Sequence, residues 1–205
     1  MGHIAATTGN DTELDALIIR LHIESACRRG GALGLEIPDL DPDNCLITLR
    51  EKGGTIRFQP ISPLLMRKLL EHIDKRRGPD ATSKVLRYRN GRPITISRYN
   101  TLTARIRKHL PWAQRLRISI HWVRHATLTY VERQFNEATA RAYAGHAEPG
   151  GTGATPVYTS ASLTEVAEAL VALTGHPHPL ARQAPDPLAP ADDPMGVRSA
   201  VRASF

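Results

Sequence analysis

The sequence predicts an α+β fold that is mainly helical and carries a small antiparallel β-sheet. Apolar residues recur at the spacing of one helical face along most of the chain, whereas two neighbouring segments have the composition of strands. With 205 residues, of which 41% are hydrophobic, the chain can bury one substantial core but not two full domains. We therefore expect one folded domain over residues 12–174, between a lead-in at residues 1–11 and a tail at residues 175–205.

The N-terminal part is predicted to be helical after the lead-in. Residues 1–11 are small and polar, so we expect them to be loose. The helical period then runs from about Thr12 to Ala26, and a shorter helix should cover Arg28 to Leu35 despite its glycines. Turn-forming residues at 38–44 end this part.

A hairpin is predicted next, with strands from Cys45 to Arg50 and from Thr55 to Ile61. The two strands are joined through Glu51-Lys52-Gly53-Gly54. Glycine readily takes the positive φ angles that tight hairpin turns need. Lys52 should therefore lie at or beside the tip of the hairpin.

The remaining predicted elements are mostly helices. They are Pro63 to Arg77, Ser97 to His109, Ile120 to Gln134, Asn136 to Ala144 and Ser162 to Thr174. Ser62 and Ser119 are the expected N-caps of two of them, and a third strand is predicted from Val85 to Tyr88. Gly145 to Thr155 is a glycine-rich loop, and six prolines in the 31 residues from Gly175 onward predict a disordered tail.

The charge of the chain suggests a polyanionic partner. The net charge is +7, and residues 84–133 contain twelve Lys or Arg against a single acid, Glu132. Such a concentration favours contact with the phosphates of duplex DNA over a merely solvated basic face. The residues expected to contact DNA are Arg98, Arg105, Lys108, Arg115 and Arg117.

Composition argues against several other classes of protein. No apolar run is long enough to span a membrane, and the N-terminus lacks the pattern of a secretory signal, so we expect a cytoplasmic protein without a membrane partner. Cys27 and Cys45 are too few for a disulfide scaffold and have no zinc-ligand spacing. An acidic metal cluster and a phosphate-cradling Gly-Lys-Ser/Thr loop are also lacking, so neither a metal nor a nucleotide cofactor is expected.

His121 and Arg124 form the first candidate for chemistry. Their three-residue spacing on a predicted helix puts an imidazole and a guanidinium on one face. A proton-transfer group beside a bidentate phosphate donor is what phosphoryl transfer requires. Taken alone, such a pair is more often a solvated helix face.

Tyr158 is the candidate nucleophile. A tyrosine hydroxyl titrates near pH 10 and becomes a useful nucleophile only where nearby cations and a proton acceptor stabilise its oxyanion. Thr155 as cap and Pro156 in the first turn would place Tyr158 early in a short helix, after the Gly145-His146 pair. The alternative is a half-buried tyrosine whose hydroxyl bonds to the backbone.

The order of these residues resembles the catalytic domain of tyrosine recombinases, the phage-type integrases, from about Thr12 to Thr174. The motifs are Ser25-Ala26-Cys27-Arg28-Arg29-Gly30, Lys52 in a hairpin, His121-x-x-Arg124, Gly145-His146 and Tyr158. The resemblance implies the DNA breaking-rejoining fold of that family and a catalytic set made of Arg28, Lys52, His121, Arg124, His146 and Tyr158.

The resemblance also implies a reaction. Tyr158 would attack a DNA phosphorus to form a 3'-phosphotyrosine and release a 5'-hydroxyl, without metal or nucleotide cofactor, in a homo-oligomer on duplex DNA. Two alternatives remain open: an impaired or truncated integrase remnant that only binds DNA, and a type IB topoisomerase, which shares the chemistry.

Three features depart from the family pattern. Ala26-Cys27 replaces the usual Thr-Gly before the first arginine, and Gly31 replaces the acid three residues after it, so the support of Arg28 is expected to be loosened. The stretch from His146 to Tyr158 is longer than usual. The helical core-binding domain that ordinarily precedes the catalytic domain is not in this sequence, and we expect weak DNA binding without it.

Overall fold

The computed structural model describes residues 1–51, 54, 56–77, 83–145 and 160–182. Nine α-helices lie within this part of the chain. They are α1 Gly2–Thr7, α2 Thr12–Ser25, α3 Arg29–Gly34, α4 Pro63–Lys75, α5 Ile96–His109, α6 Pro111–Arg115, α7 Ile120–Gln134, α8 Glu137–Ala144 and α9 Ser160–Thr174. None of the described helices is long and apolar enough to cross a membrane.

Side-chain caps explain where several helices begin. The Asp11 carboxylate accepts from the Leu14 amide at the start of α2. The Ser62 hydroxyl accepts from the Leu65 amide at 3.1 Å, directly before Pro63 in the first turn of α4. Each cap satisfies a backbone donor that has no partner inside the helix. The predicted start of α4 is confirmed, and α7 has the predicted bounds.

The sheet has three antiparallel strands in the order β1 Leu40–Asp41, β2 Leu46–Arg50 and β3 Ile56–Pro60. The predicted hairpin is confirmed, with Ile47 paired to Gln59. The third strand predicted at Val85 to Tyr88 is wrong.

The backbone groups of Arg87 are instead bound by side chains at the C-terminal end of α4, namely His72 and the C-cap residue Arg76. His72 Nε2 accepts from the Arg87 amide at 3.1 Å, and Arg76 donates to the Arg87 carbonyl at 3.1 Å. Because these backbone groups are bound by side chains, the segment forms only isolated bridges.

Two apolar clusters make the core. The larger one packs α2, α4 and α5 against the inner face of the sheet, with Leu14, Ile47 and Leu65 fully buried. The smaller one joins α7, α8 and α9 around Tyr143 and contains Ala26 from the loop after α2. The α2–α3 loop thus lies between the two clusters, which fixes the position of the residues that follow it.

Both ends of the domain differ from the prediction. The expected loose lead-in contains α1, which packs on α2 and buries Ala5 completely. The first residues of the expected disordered tail also lie on the fold, since His178 is buried and its Nε2 lies 3.2 Å from the Cys45 carbonyl oxygen. The six-residue helix α1 has little stability of its own and forms through its packing on α2. Residues 183–205 lie outside the described part.

Candidate active site

Arg28 lies at the N-cap of α3 and lines an open cleft. Its amide N–H donates to Glu51 Oε1 at 3.2 Å, and its guanidinium forms an ion pair with Glu51 Oε2. The Arg28 side chain remains 37% exposed while the Glu51 side chain is only 1% exposed. Arg28 is therefore held by a buried carboxylate and still reaches solvent.

Glu51 follows β2 directly and is the centre of a group that we call the Glu51 cluster: Glu51, Arg28, Arg57 and Arg124. Burial alone would raise the pKa of the Glu51 carboxyl, but Arg57, the Arg28 amide and Arg124 outweigh that effect, and the pKa lies below its usual range. The carboxylate is ionised at neutral pH. Three guanidiniums share one negative charge, so the cluster has a net positive charge.

Arg57 anchors the cluster from β3. Its guanidinium is fully buried and donates to the carbonyls of Ser25 and Tyr143, both at 2.9 Å, and to Glu51 at 3.2 Å. Gly145 ends α8 with a φ of +66°, and a Cβ there would lie 2.2 Å from Arg57 Cδ. Position 145 therefore requires glycine both for its backbone angle and for the room that Arg57 takes up.

Arg124 is buried on α7 and ties two segments together. Its guanidinium donates to the Ala26 carbonyl and, at 3.0 Å, to the Ala144 carbonyl. Burial lowers the pKa of Arg124 to about 10, although Glu51 opposes the effect, so the group stays charged at neutral pH. A guanidinium has five N–H donors, and these two bonds leave donors for a ligand.

His121 lies one turn before Arg124 on α7 and is exposed. Its Nε2 is 2.8 Å from Nε2 of His125, so one imidazole donates to the other. Partial burial lowers the pKa of His121, and His125, Arg124 and Arg28 lower it further. The imidazole is thus neutral at pH 7 and able to accept a proton.

An open cleft of about 710 Å³ lies between α3, α5 and the start of α7. Arg28 and His121 line it together with Tyr99 and Arg107. The cleft presents cationic donors and a neutral imidazole to one space, which suits an anionic substrate.

Three members of the predicted catalytic set lie outside the described residues: Lys52, His146 and Tyr158. Arg28 and His121 line the same cleft, and Arg124 lies one turn after His121 on α7. Glu51 and Gly145, which precede Lys52 and His146 in the sequence, both contact Arg57.

Sequence reasoning missed Glu51 and Arg57. The expectation that Arg28 is loosely supported is corrected, because Glu51 supplies a carboxylate. The sequence of β3 alternates apolar and polar residues, and in the fold the polar Arg57 and Gln59 are buried while the apolar Ile56 and Phe58 are exposed. Polar residues alternating with apolar ones on a strand could point inward as well as outward, and the pattern alone did not decide between the two.

Two of the five residues expected to contact DNA point into the fold. Arg98 is 6% exposed, and its Nε donates to Asp15 Oδ1 at 2.7 Å, with further bonds to Asn10 and the Asp11 carbonyl. Arg105 pairs with the other oxygen of Asp15. We call Asp15, Arg98 and Arg105 the Asp15 cluster. The prediction that Arg98 and Arg105 contact DNA is corrected, because both guanidiniums are paired with the buried Asp15 carboxylate.

The other three residues are exposed, with Lys108 near the end of α5, Arg115 in α6 and Arg117 just after it. Arg117 has a left-handed backbone with a φ of +49°, and its carbonyl accepts from Arg107 at 2.9 Å. The C-terminal end of α5 and the connection from it to α7 thus present three cations to solvent.

Comparisons with known proteins agree with this architecture. The sequence model of the phage integrase family matches residues 3–162. The XerH site-specific recombinase bound to palindromic difH substrate, in a post-cleavage complex, has a TM-score of 0.58 and 20% identity over 72% of this chain and 44% of its own. XerA recombinase has a TM-score of 0.57 and 17% identity over 82% of this chain and 61% of its own.

A Tn1549 transposon integrase in complex with a circular intermediate DNA has a TM-score of 0.52 and 19% identity over 68% of this chain and 53% of its own. This chain therefore spans less than two thirds of each of these structures. No curated protein matches it. The structural likenesses show the fold, which confirms the predicted fold class, and the family model covers most of the chain. The protein belongs to the phage integrase family.

Proposed function

We propose that the protein breaks and rejoins duplex DNA by transesterification, as a site-specific recombinase. The hydroxyl oxygen of Tyr158 attacks a backbone phosphorus, the bond to the 5' oxygen breaks, and a 3'-phosphotyrosine forms. A 5'-hydroxyl later attacks the same phosphorus and releases Tyr158. The bond energy stays in the protein–DNA linkage, so the sequence of steps needs no external energy source.

The observation that carries the proposal is the Glu51 cluster beside His121. Arg28 and Arg124 would hold the non-bridging oxygens and stabilise the charge that develops in the transition state, where one such donor contributes roughly 3 kcal/mol. The neutral imidazole of His121 can assist proton transfer. Lys52 would protonate the leaving 5' oxygen, and His146 would hydrogen-bond the phosphate.

The partners follow from the same argument. The solved XerH and Tn1549 integrase structures contain DNA, and the exposed Lys108, Arg115 and Arg117 supply cations for a phosphate backbone. We infer duplex DNA as the partner, in a homo-oligomer that joins two sites. We also propose a cytoplasmic location, as expected from the sequence.

A pool of nicked duplexes with randomised sequence tests the proposal. Loss of the short 3' fragment traps the covalent intermediate, so SDS-resistant adducts accumulate and their sequences identify the site. We expect an adduct with the wild-type protein and none with Tyr158→Phe. DNA binding without any adduct, in the wild-type protein, would support the alternative of a non-catalytic DNA-binding module.

A further inference from the structure

An acidic side chain at position 31 in α3 could accept a hydrogen bond from the backbone amide of Arg28. Arg28 is the N-cap of α3, which makes Gly31 its N3 residue. An acidic side chain at N3 commonly accepts from the backbone N–H of the N-cap residue. Gly31 has no side chain to do so.

Glu51 makes that contact from another element. Its Oε1 accepts from the Arg28 amide at 3.2 Å, and its Oε2 pairs with the Arg28 guanidinium. One carboxylate therefore fixes both the backbone and the side-chain end of Arg28. A long arginine side chain that is already ordered loses less conformational entropy when it binds a phosphate.

Gly31 and Glu51 also fit each other sterically. A Cβ at position 31 would lie 3.3 Å from Glu51 Cγ and 3.6 Å from its Oε1. The space beside position 31 is thus filled by the Glu51 side chain. The space beside position 31 has room for one carboxylate, and Glu51, which follows β2, provides it.

We propose that Glu51 is the positioning residue for Arg28, and that its carboxylate can be moved to position 31 without loss of function. The proposal rests on the proposed function, because the ligand that Arg28 is positioned for is a DNA phosphate. Glu51 itself does not touch the DNA. It acts through the orientation of Arg28.

A charge-relocation pair tests this inference. Glu51→Gln removes the charge and nearly preserves the shape, so the cleavage rate of a trapped nicked duplex should fall roughly tenfold. Because a glutamine would fill the same space as Glu51, the double variant combines Gly31→Asp with Glu51→Ala, which leaves room beside position 31, and it should recover most of the wild-type rate. Gly31→Asp in the wild-type background should slow cleavage, because two carboxylates then compete for one site.

The alternative is that Glu51 only stabilises the fold by neutralising Arg57. In that case the double variant could regain thermal stability but not the cleavage rate, and the proposal would be overturned. Asp39→Asn is the matched control, since Asp39 is a buried carboxylate paired with the exposed Arg50. It should leave cleavage by the folded protein unchanged. If Glu51→Gln does not fold, the double variant decides, and its failure to fold or to cleave contradicts the proposal.

A second readout separates this inference from the proposed function. Side-chain ¹⁵N relaxation of Arg28 Nε should show an ordered group in the wild-type protein, a mobile one in Glu51→Gln and an ordered one again in the double variant. A wild-type protein that forms no adduct would reject the proposed function, while these relaxation data still decide the role of Glu51. Unchanged order in Glu51→Gln would overturn that role.

Discussion

The Glu51 cluster and the Asp15 cluster both pair arginines with a buried carboxylate, but only the Glu51 cluster leaves an arginine side chain accessible to solvent. In the Asp15 cluster, the buried carboxylate of Asp15 forms ion pairs with Arg98 and Arg105, and both guanidiniums point into the fold. In the Glu51 cluster, three guanidiniums surround one carboxylate, and Arg28 keeps more than a third of its side chain exposed. Access to solvent therefore distinguishes Arg28 from the two arginines of the Asp15 cluster, whose guanidiniums are held by a carboxylate inside the fold.

Replacing Arg28 should have the largest effect on the reaction. Arg28→Ala removes a transition-state donor, and we expect the cleavage rate to fall about 100- to 1,000-fold. Some stability should also be lost because the buried Glu51 loses one partner, but less than when Arg98 is replaced, since Arg28 is part-exposed and Glu51 keeps its ion pair with Arg57. Single-turnover cleavage together with thermal unfolding measures both. A large loss of stability with cleavage retained would show that Arg28 belongs with the structural arginines.

Arg98→Ala should show the reverse pattern. It leaves Asp15 buried with one partner fewer, and breaking a buried ion pair costs about 3 kcal/mol. Urea unfolding should report this loss of stability, while the folded variant should bind and cleave DNA as the wild-type protein does. Normal stability with impaired DNA binding would return Arg98 to the DNA interface.

Acid should destabilise the loop that holds Arg28. His22 binds this loop at the Cys27 carbonyl, 3.0 Å from its Nδ1, and burial lowers the pKa of His22 to about 4 from 6.5. Between these values the unfolded chain takes up a proton that the folded protein excludes. Stability should thus decline as the pH falls from 6.5 toward 4, by up to about 1.4 kcal/mol per pH unit for this one histidine.

Chemical unfolding at pH 7 and pH 5 measures that decline. His22→Gln should be less stable at pH 7 but should lose less stability between the two pH values. His72, whose pKa burial also lowers to about 4, remains in the variant and contributes its own share. Equal losses in the wild-type protein and His22→Gln would remove His22 from this account.

The smallest effect concerns the exposed cations. Neutralising Lys108 should reduce the slope of log binding constant against log salt by about 0.9 if Lys108 contacts one phosphate. Arg105→Ala serves as the buried counterpart, since Arg105 is paired with Asp15, and its slope should match that of the wild-type protein. The reverse ranking would contradict the assignment of these two residues.

Local signals in the sequence were sufficient for most of the helices. The cap and proline at Ser62-Pro63 located the start of α4, and the bounds of α7 were predicted correctly. The helix α1 was not predictable because it is short and depends on packing against α2.

The site was predictable only in part. The His121 and Arg124 pair follows from spacing within one helix, whereas Glu51 is 23 residues from Arg28 in sequence and meets it only in the folded chain. The burial of Arg98 depends likewise on Asp15, which is 83 residues away. A count of charges reports how many cations a segment has, and only tertiary contacts decide which of them remain available.

Mapping the covalent bond between protein and DNA tests the central claim most directly. An adduct formed with the selected nicked duplex would be digested with nuclease and protease, and the modified peptide would be sequenced by mass spectrometry. We expect a nucleotide linked through its 3'-phosphate to Tyr158, with a yield that collapses in Arg28→Ala. A linkage to any other residue, or a yield unaffected by Arg28→Ala, would contradict the account.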